Sequence, residues 1–149
     1  MSSESSESVE PILIRSARLA DIPQIASCIK PYVEQGRLLQ RTISELDLLI
    51  ANCFVALQGG EVVGCAALEV YSPKLAEVRS LAVVDGFQKQ GVGRRLVEAC
   101  VARARQLQIL EVMAITSSEE FFRGCGFDFT LPGEKKALFL DTRLPPHAD

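Results

Sequence analysis

Residues 86 to 95 read GFQKQGVGRR and lie between the apolar run LAVV and the amphipathic stretch LVEACVARARQL. Two glycines one residue apart, among polar side chains, open a helix without a bulky cap. The unpaired backbone N–H groups of such a start converge on one point, and the helix dipole favours an anion there. Arg94 and Arg95 strengthen this reading, because cations in a first helical turn cost about 0.3 to 1 kcal/mol each unless something negative neutralises them. A tight strand-to-helix turn with two solvated arginines fits the same residues equally well. Spacing excludes two phosphate-binding patterns. GFQKQG supplies the first half of a P-loop, but Val92 and Gly93 stand where Lys and Ser or Thr would hold phosphate and magnesium. A dinucleotide fingerprint would need its third glycine where Leu96 stands.

Other chemistry is narrowed by composition. Cys28, Cys53, Cys65, Cys100 and Cys125 are odd in number, scattered, and form no C-x-x-C pair, which reads as free thiols in a reducing cytosol. His147, the only histidine, sits in the Pro-rich LPPHAD. Cysteine–histidine nucleophilic chemistry and a zinc site both lack their helper residues, so no metal is expected. Glu77, in AEVRSLAV, is a single carboxylate near the start of a strand, and taken alone such a residue is usually solvated.

The elements that must position these groups follow from size and periodicity. At 149 residues the chain is long enough for one domain with a sizeable core. Hydrophobic residues make up 48% and charged residues 23%, and no run of about 18 apolar residues could span a membrane. The opening MSSESSESVE is no signal peptide, and residues 1–10 read as a disordered Ser/Glu tail ahead of a single domain over 11–149. Glu4, Glu7 and Glu10 account for the formal charge of -3, so the domain is balanced and offers no basic surface for nucleic acid.

ILIRSAR alternates like a strand; Asp21 and Pro23 then open a helix that Gly36 ends, and Thr42 or Ser44 caps a second, short one. CFVAL and EVVGCAALEVY read as antiparallel strands joined at Gln58-Gly59-Gly60. AEVRSLAVV is a fourth, central strand. After the glycine loop, Val92, Leu96, Val97, Cys100, Val101, Ala104 and Leu107 trace the buried face of a long helix. LEVMAIT then reads as a buried strand, SSEEFFRGC as a short helix, and FDFTL and ALFL as two last strands. The expected class is mixed α/β, with an antiparallel start, one strand-helix-strand crossover and an antiparallel finish.

Gln88-x-x-Gly91-x-Gly93 resembles the [Q/R]-x-x-G-x-[G/A] signature of the GNAT superfamily of N-acetyltransferases. The setting is similar too: a hydrophobic strand before, a long helix after, then FFRGCGF, like the family's F-Y-x-x-x-G-F. The resemblance runs from about Ile14 onward and implies a mostly antiparallel sheet of six to seven strands with about four helices. It implies acetyl-coenzyme A as co-substrate, its pyrophosphate held by backbone amides from Gln88 through Lys89, Gln90, Gly91, Val92 and Gly93 to Arg94. It further implies that Leu81, Ala82 and Val83 hold the pantetheine arm and orient the thioester, an amide there stabilising the oxyanion. Acetyl transfer needs a neutral amine, and Glu77 matches the strand position where several members carry a general base. Phe122 departs from the pattern, since many members have a Tyr there to protonate the leaving sulfur. A thiol pKa near 8.5 makes the thiolate a tolerable leaving group without it.

IKPYVEQGRLLQR and the later KKALFLDTR are similar to stretches of the acetyltransferase domain of bacterial N-acetylglutamate synthases. By position this resemblance implies Arg41 and Arg143 at the substrate, Ser80 where those enzymes often have Cys, and Arg79 as a local addition. Glutamate is then the implied acceptor amine, and a planar guanidinium suits its carboxylates. Many such synthases carry an arginine-sensing kinase-like domain ahead; here the resemblance finds only the Ser/Glu tract, so feedback by arginine is not implied. The alternatives are another amine (a protein N-terminus, a polyamine, a metabolite) and a cofactor-binding partner subunit without turnover. A homodimer is compatible with the sequence but not written in it.

Overall fold

A computed structural model describes residues 10–38, 41–129 and 138–143. Five strands form one sheet in sequence order: β1 (Leu13–Ser16), β2 (Cys53–Gln58), β3 (Glu61–Ser72), β4 (Leu75–Val83) and β5 (Glu111–Met113). Neighbours from β1 to β4 pair antiparallel, and β5 joins β4 in parallel. Among the described residues four α-helices accompany them: α1 (Ile22–Glu34), α2 (Ile43–Leu49), α3 (Val92–Gln106) and α4 (Glu119–Gly124).

The sheet is filled on both faces. Ile22, Ile25, Cys28 and Ile29 of α1, with Leu46 of α2, cover Val55, Leu57 and Cys65 on one side. On the other, Val92, Leu96, Val97, Cys100 and Ala104 of α3 cover Ala56, Leu68 and Ala76. This explains why β2 and the first half of β3 read as apolar runs rather than alternating strands. Helix α3 comes so close to β3 that a Cβ on Gly64 would lie 3.1 Å from Leu96 Cδ1 and 3.2 Å from the Ala82 carbonyl oxygen.

Local chemistry sets the boundaries. Thr42 caps α2, its hydroxyl accepting from the Glu45 N–H while the Glu45 carboxylate accepts from the Thr42 N–H. Gly59 and Gly60 both have positive φ, as the tight turn between β2 and β3 requires. At the end of β1, Arg15 donates to both carboxylate oxygens of buried Asp21, at 2.7 and 3.0 Å, tying the strand to the entry of α1.

Three expectations are corrected. LEVMAIT is a strand only over Glu111–Met113 and is half-buried to exposed, because it pairs with β4 at just three positions at the sheet's edge. Phe127, Asp128 and Phe129 of FDFTL, and Leu138, Phe139 and Leu140 of ALFL, are not in strands, and residues 138–140 are exposed. The sheet among the described residues therefore has five strands, against six to seven expected. The rest of FDFTL and ALFL, the Ser/Glu tract up to residue 9, and His147 lie outside the described residues.

Candidate active site

The site starts from a fault in the pairing of β4. Cys65 lies opposite Ala82 and Ala67 opposite Arg79, so Ser80 and Leu81 together face the single residue Ala66. This is a β-bulge, and Ser80 takes the left-handed φ of 57° that it demands. On the other edge, parallel pairing of β4 with β5 ends at Glu77 and Met113. Beyond that point the two strands part.

A cleft of about 1460 Å³ opens there. One wall is β4 from Glu77 to Val83; the other is Met113 and the segment from Ile115 to Ser118. Gly91, Gly93 and Arg94 at the start of α3 close one end, and Tyr71 and Arg79 lie at the other. Most single-ligand pockets measure roughly 300 to 1,000 Å³, so this one has room for two reactants.

The edge of β4 presents backbone to the cleft. The Val84 N–H bonds Val63 of β3, so strand alternation turns Val83, and Leu81 before it, the opposite way. Ala82 turns back toward β3. The Val83 carbonyl accepts from the Tyr32 hydroxyl at 2.7 Å and from Gln88 Nε2 at 3.2 Å, and Gln88 also donates to the Tyr32 oxygen at 2.7 Å. Val83 N–H donates to the same tyrosine oxygen at 3.4 Å. Tyr32, a residue of α1 that the sequence did not single out, thus satisfies both polar groups of Val83.

At the other end of this edge stands the glycine turn. Lys89 and Gly91 have φ of 64° and 80°, and Gly91, the N-cap of α3, has no side chain to bond the first-turn N–H groups. A Cβ on Gly91 would meet nothing within 4 Å, so the ground above the turn is open. Gly93 is needed for the opposite reason, since a Cβ there would lie 3.3 Å from the Phe121 ring. The turn is a concave set of amides at a helix N-terminus, built for an anion. Val92 is buried in the core and Gln90 donates to the Gly86 carbonyl, which leaves only their backbone to a ligand. Arg94 lines the cleft, whereas Arg95 turns away and donates to the Ile12 carbonyl at 2.9 Å.

The charged end of the cleft follows from the β3–β4 register. Glu69 lies directly opposite Glu77, and like charges so placed repel. Arg79, two residues along β4 on the same face, relieves this by reaching Glu69 Oε1 at 3.1 Å and Glu77 Oε1 at 3.9 Å. Arg41, whose side chain is 10% exposed, reaches the same Glu69 oxygen at 3.5 Å and Glu45 at 3.8 Å. Glu77 is 6% exposed and accepts a 2.5 Å hydrogen bond from the Tyr71 hydroxyl. Burial, and then that bond to Glu77, raises the Tyr71 phenol above its ordinary value. Burial works against the Arg79 charge, but the Tyr71 and Glu77 oxygens outweigh it and hold the guanidinium above its ordinary value.

The fold thus gathers Glu77, Arg79, Ser80, Leu81, Ala82, Val83, Gln88, Lys89, Gly91, Gly93 and Arg94 around one cleft. Arg41 joins through Glu69 without lining it. Arg143 is 84% exposed and paired with Asp141 at 2.6 Å, while Phe139 of the same segment lines the cleft. Sequence reasoning passed over Tyr32 and Glu69. Their part depends on a cross-strand register and a helix docking that no local pattern displays. Phe122, in place of the family's tyrosine, is largely buried and packs edge-to-face on Phe121 and Phe127.

Residues 19–127 match the model of the Acetyltransferase (GNAT) family. An uncharacterised N-acetyltransferase of Chlorobaculum tepidum is 39% identical over 114 residues, 76% of this chain and 74% of that protein. An amino-acid acetyltransferase of Actinobacillus pleuropneumoniae is 34% identical over 150 residues, 97% of this chain but 33% of that protein. The chain thus spans about a third of the amino-acid acetyltransferase it matches. Among solved structures, a Mycobacterium tuberculosis protein in complex with coenzyme A is similar at 31% identity and a TM-score of 0.75, over 84% of this chain and 76% of that one. N-acetylglutamate synthase of Neisseria gonorrhoeae, complexed with coenzyme A and N-acetylglutamate, is similar at 34% identity and a TM-score of 0.72, over 76% of this chain and 27% of that one.

Proposed function

Because the chain belongs to the GNAT family of acetyltransferases, we propose that it transfers acetyl from acetyl-coenzyme A to the α-amine of glutamate or a similar small acidic amino acid. The observation that carries this reading is the continuity of the cleft. One strand edge leads from a bare helix N-terminus at Gly91 to a buried carboxylate at Glu77 beside Arg79.

The residues fit the donor on their own chemistry. The amides of Val92, Gly93 and Arg94, with the Arg94 side chain, suit a pyrophosphate; the Leu81 backbone suits an amide-bearing arm, and Val83 offers its own polar groups to that arm only when Tyr32 and Gln88 give way. When bound, acetyl-coenzyme A supplies an acyl group already activated as a thioester. The chain must then hold the acceptor, take its proton and stabilise the oxyanion. Glu77 is the proposed proton acceptor, and an N–H of the Leu81–Val83 edge the proposed oxyanion donor. Arg41, Arg79 and Arg143 are the proposed carboxylate partners, with Ser80 at the bulge between donor and acceptor ends.

One observation favours a second reading. Glu69 already engages both Arg41 and Arg79, and Arg41, Arg79, Glu69 and Glu77 together sum to no net charge. An amine with a single carboxylate, or with none, would meet less competition there. Thiol release by the purified chain, measured across glutamate, other amino acids, polyamines and peptide N-termini, tests both. Glutamate with the highest kcat/KM supports the first reading; a neutral amine preferred by tenfold or more, about 1.4 kcal/mol, replaces it with the second.

A further inference from the structure

Tyr71 is the extra residue in a second fault of the β3–β4 pairing. Val70 lies opposite Ala76 and Ser72 opposite Leu75, so Tyr71 has no partner across the strand pair. Tyr71 is 46% exposed, and it lines the cleft together with Glu77. The Glu77 side chain is only 8% exposed. Glu77 Oε1 already holds the Tyr71 hydroxyl at 2.5 Å and has Arg79 at 3.9 Å. Arg79 also donates to the Tyr71 oxygen at 3.3 Å, fixing the phenol between guanidinium and carboxylate. Tyr71 and Glu77 both line the cleft, and Tyr71 is the more exposed of the two.

We propose that Tyr71 and Glu77 act as one acid–base pair, in which Tyr71 relays the proton of the attacking amine to Glu77. This rests on the acetyltransferase reading above. The nitrogen attacks the thioester carbon and forms the C–N bond, which leaves the nitrogen positively charged. It loses one proton to the Tyr71 oxygen while the Tyr71 O–H proton passes to the Glu77 carboxylate. The C–S bond then breaks, the electron pair leaves with sulfur as thiolate, and that thiolate takes its proton from solvent. Tyr71 ends the step neutral, and Glu77 ends it as a carboxylic acid that returns its proton to water.

Two measurements test the relay. The chain has two tyrosines and no tryptophan, so subtracting the phenolate absorbance titration of Tyr71→Phe from that of wild type isolates Tyr71. In Glu77→Gln the Tyr71 titration should move to lower pH, because the carboxylate that raises it is gone. A Tyr71 titration identical in wild type and Glu77→Gln overturns the pair, whatever the turnover. The second measurement is thiol release in mixtures of light and heavy water with the best amine of the panel. Wild-type kcat should fall along a curve as deuterium rises, reporting two protons in flight. Tyr71→Phe should lose about 100-fold or more in kcat, keep its acetyl-coenzyme A affinity, and show a straight line. An active wild type with Tyr71→Phe equally fast overturns the relay and leaves the acetyltransferase reading standing. A chain that binds acetyl-coenzyme A but releases thiol with no amine overturns both.

Discussion

Glu69 and Glu77 face each other across β3 and β4, and Arg79 is the side chain within reach of both. Replacing it with Met keeps much of its bulk but leaves two carboxylates opposed without their shared cation. Arg79→Met should lower unfolding free energy by about 1 to 3 kcal/mol at neutral pH in urea titrations. A deficit of the same size with Glu69 replaced by Gln in the background would mean that Arg79 acts through packing alone. Glu77, the glycines and Arg94 were legible in the sequence, because each belongs to a short stretch whose spacing resembles a known pattern. Tyr32 and Glu69 were not. Glu69 matters because the bulge at Tyr71 shifts the register so that it faces Glu77, and Tyr32 because α1 docks with that hydroxyl over Val83.

Among the elements, those with a long period were read correctly: α1, α3 and the pair β2–β3 each carry a continuous apolar face or a glycine turn that admits one interpretation. Toward the end of the chain, the described residues of FDFTL and ALFL are not in strands, although their apolar alternation is the same pattern that a strand shows. The junction of β1 and α1 offers a test at this scale. Hydrogen bonds from Arg15, ahead of the bond from the Arg18 N–H, hold the Asp21 carboxyl below its ordinary value. A carboxyl lowered in the folded chain contributes stability that is complete above its unfolded pKa, near 3.9, and is lost as pH falls through the folded value. Asp21→Asn should therefore cost about 1.5 to 3 kcal/mol at neutral pH. Its denaturation curve should converge on that of wild type in acid, and a gap that persists below the folded value would assign the loss to geometry rather than charge.

For the whole molecule, the thiols report how well the two cores are closed. Cys28, Cys53, Cys65 and Cys100 are buried and Cys125 is half-buried. Burial pushes Cys53 and Cys100 up to about 12, which leaves almost no thiolate at neutral pH. Alkylation of the native chain followed by mass spectrometry should mark Cys125 alone at first, with the other four appearing only as the chain unfolds. A second fast site would show that one face of the sheet opens locally. The three-position seam between β4 and β5 has a consequence of a different order. Past it β4 and β5 part like a wedge pinned at its tip, and an extended molecule lying along the free edge of β4 would serve as a borrowed strand. Anything that binds only the folded form adds about 2.7 kcal/mol at a hundred times its dissociation constant. A donor seated in that wedge is therefore scaffold as well as reagent, and the sturdiness of the protein would rise and fall with the supply of the compound it consumes.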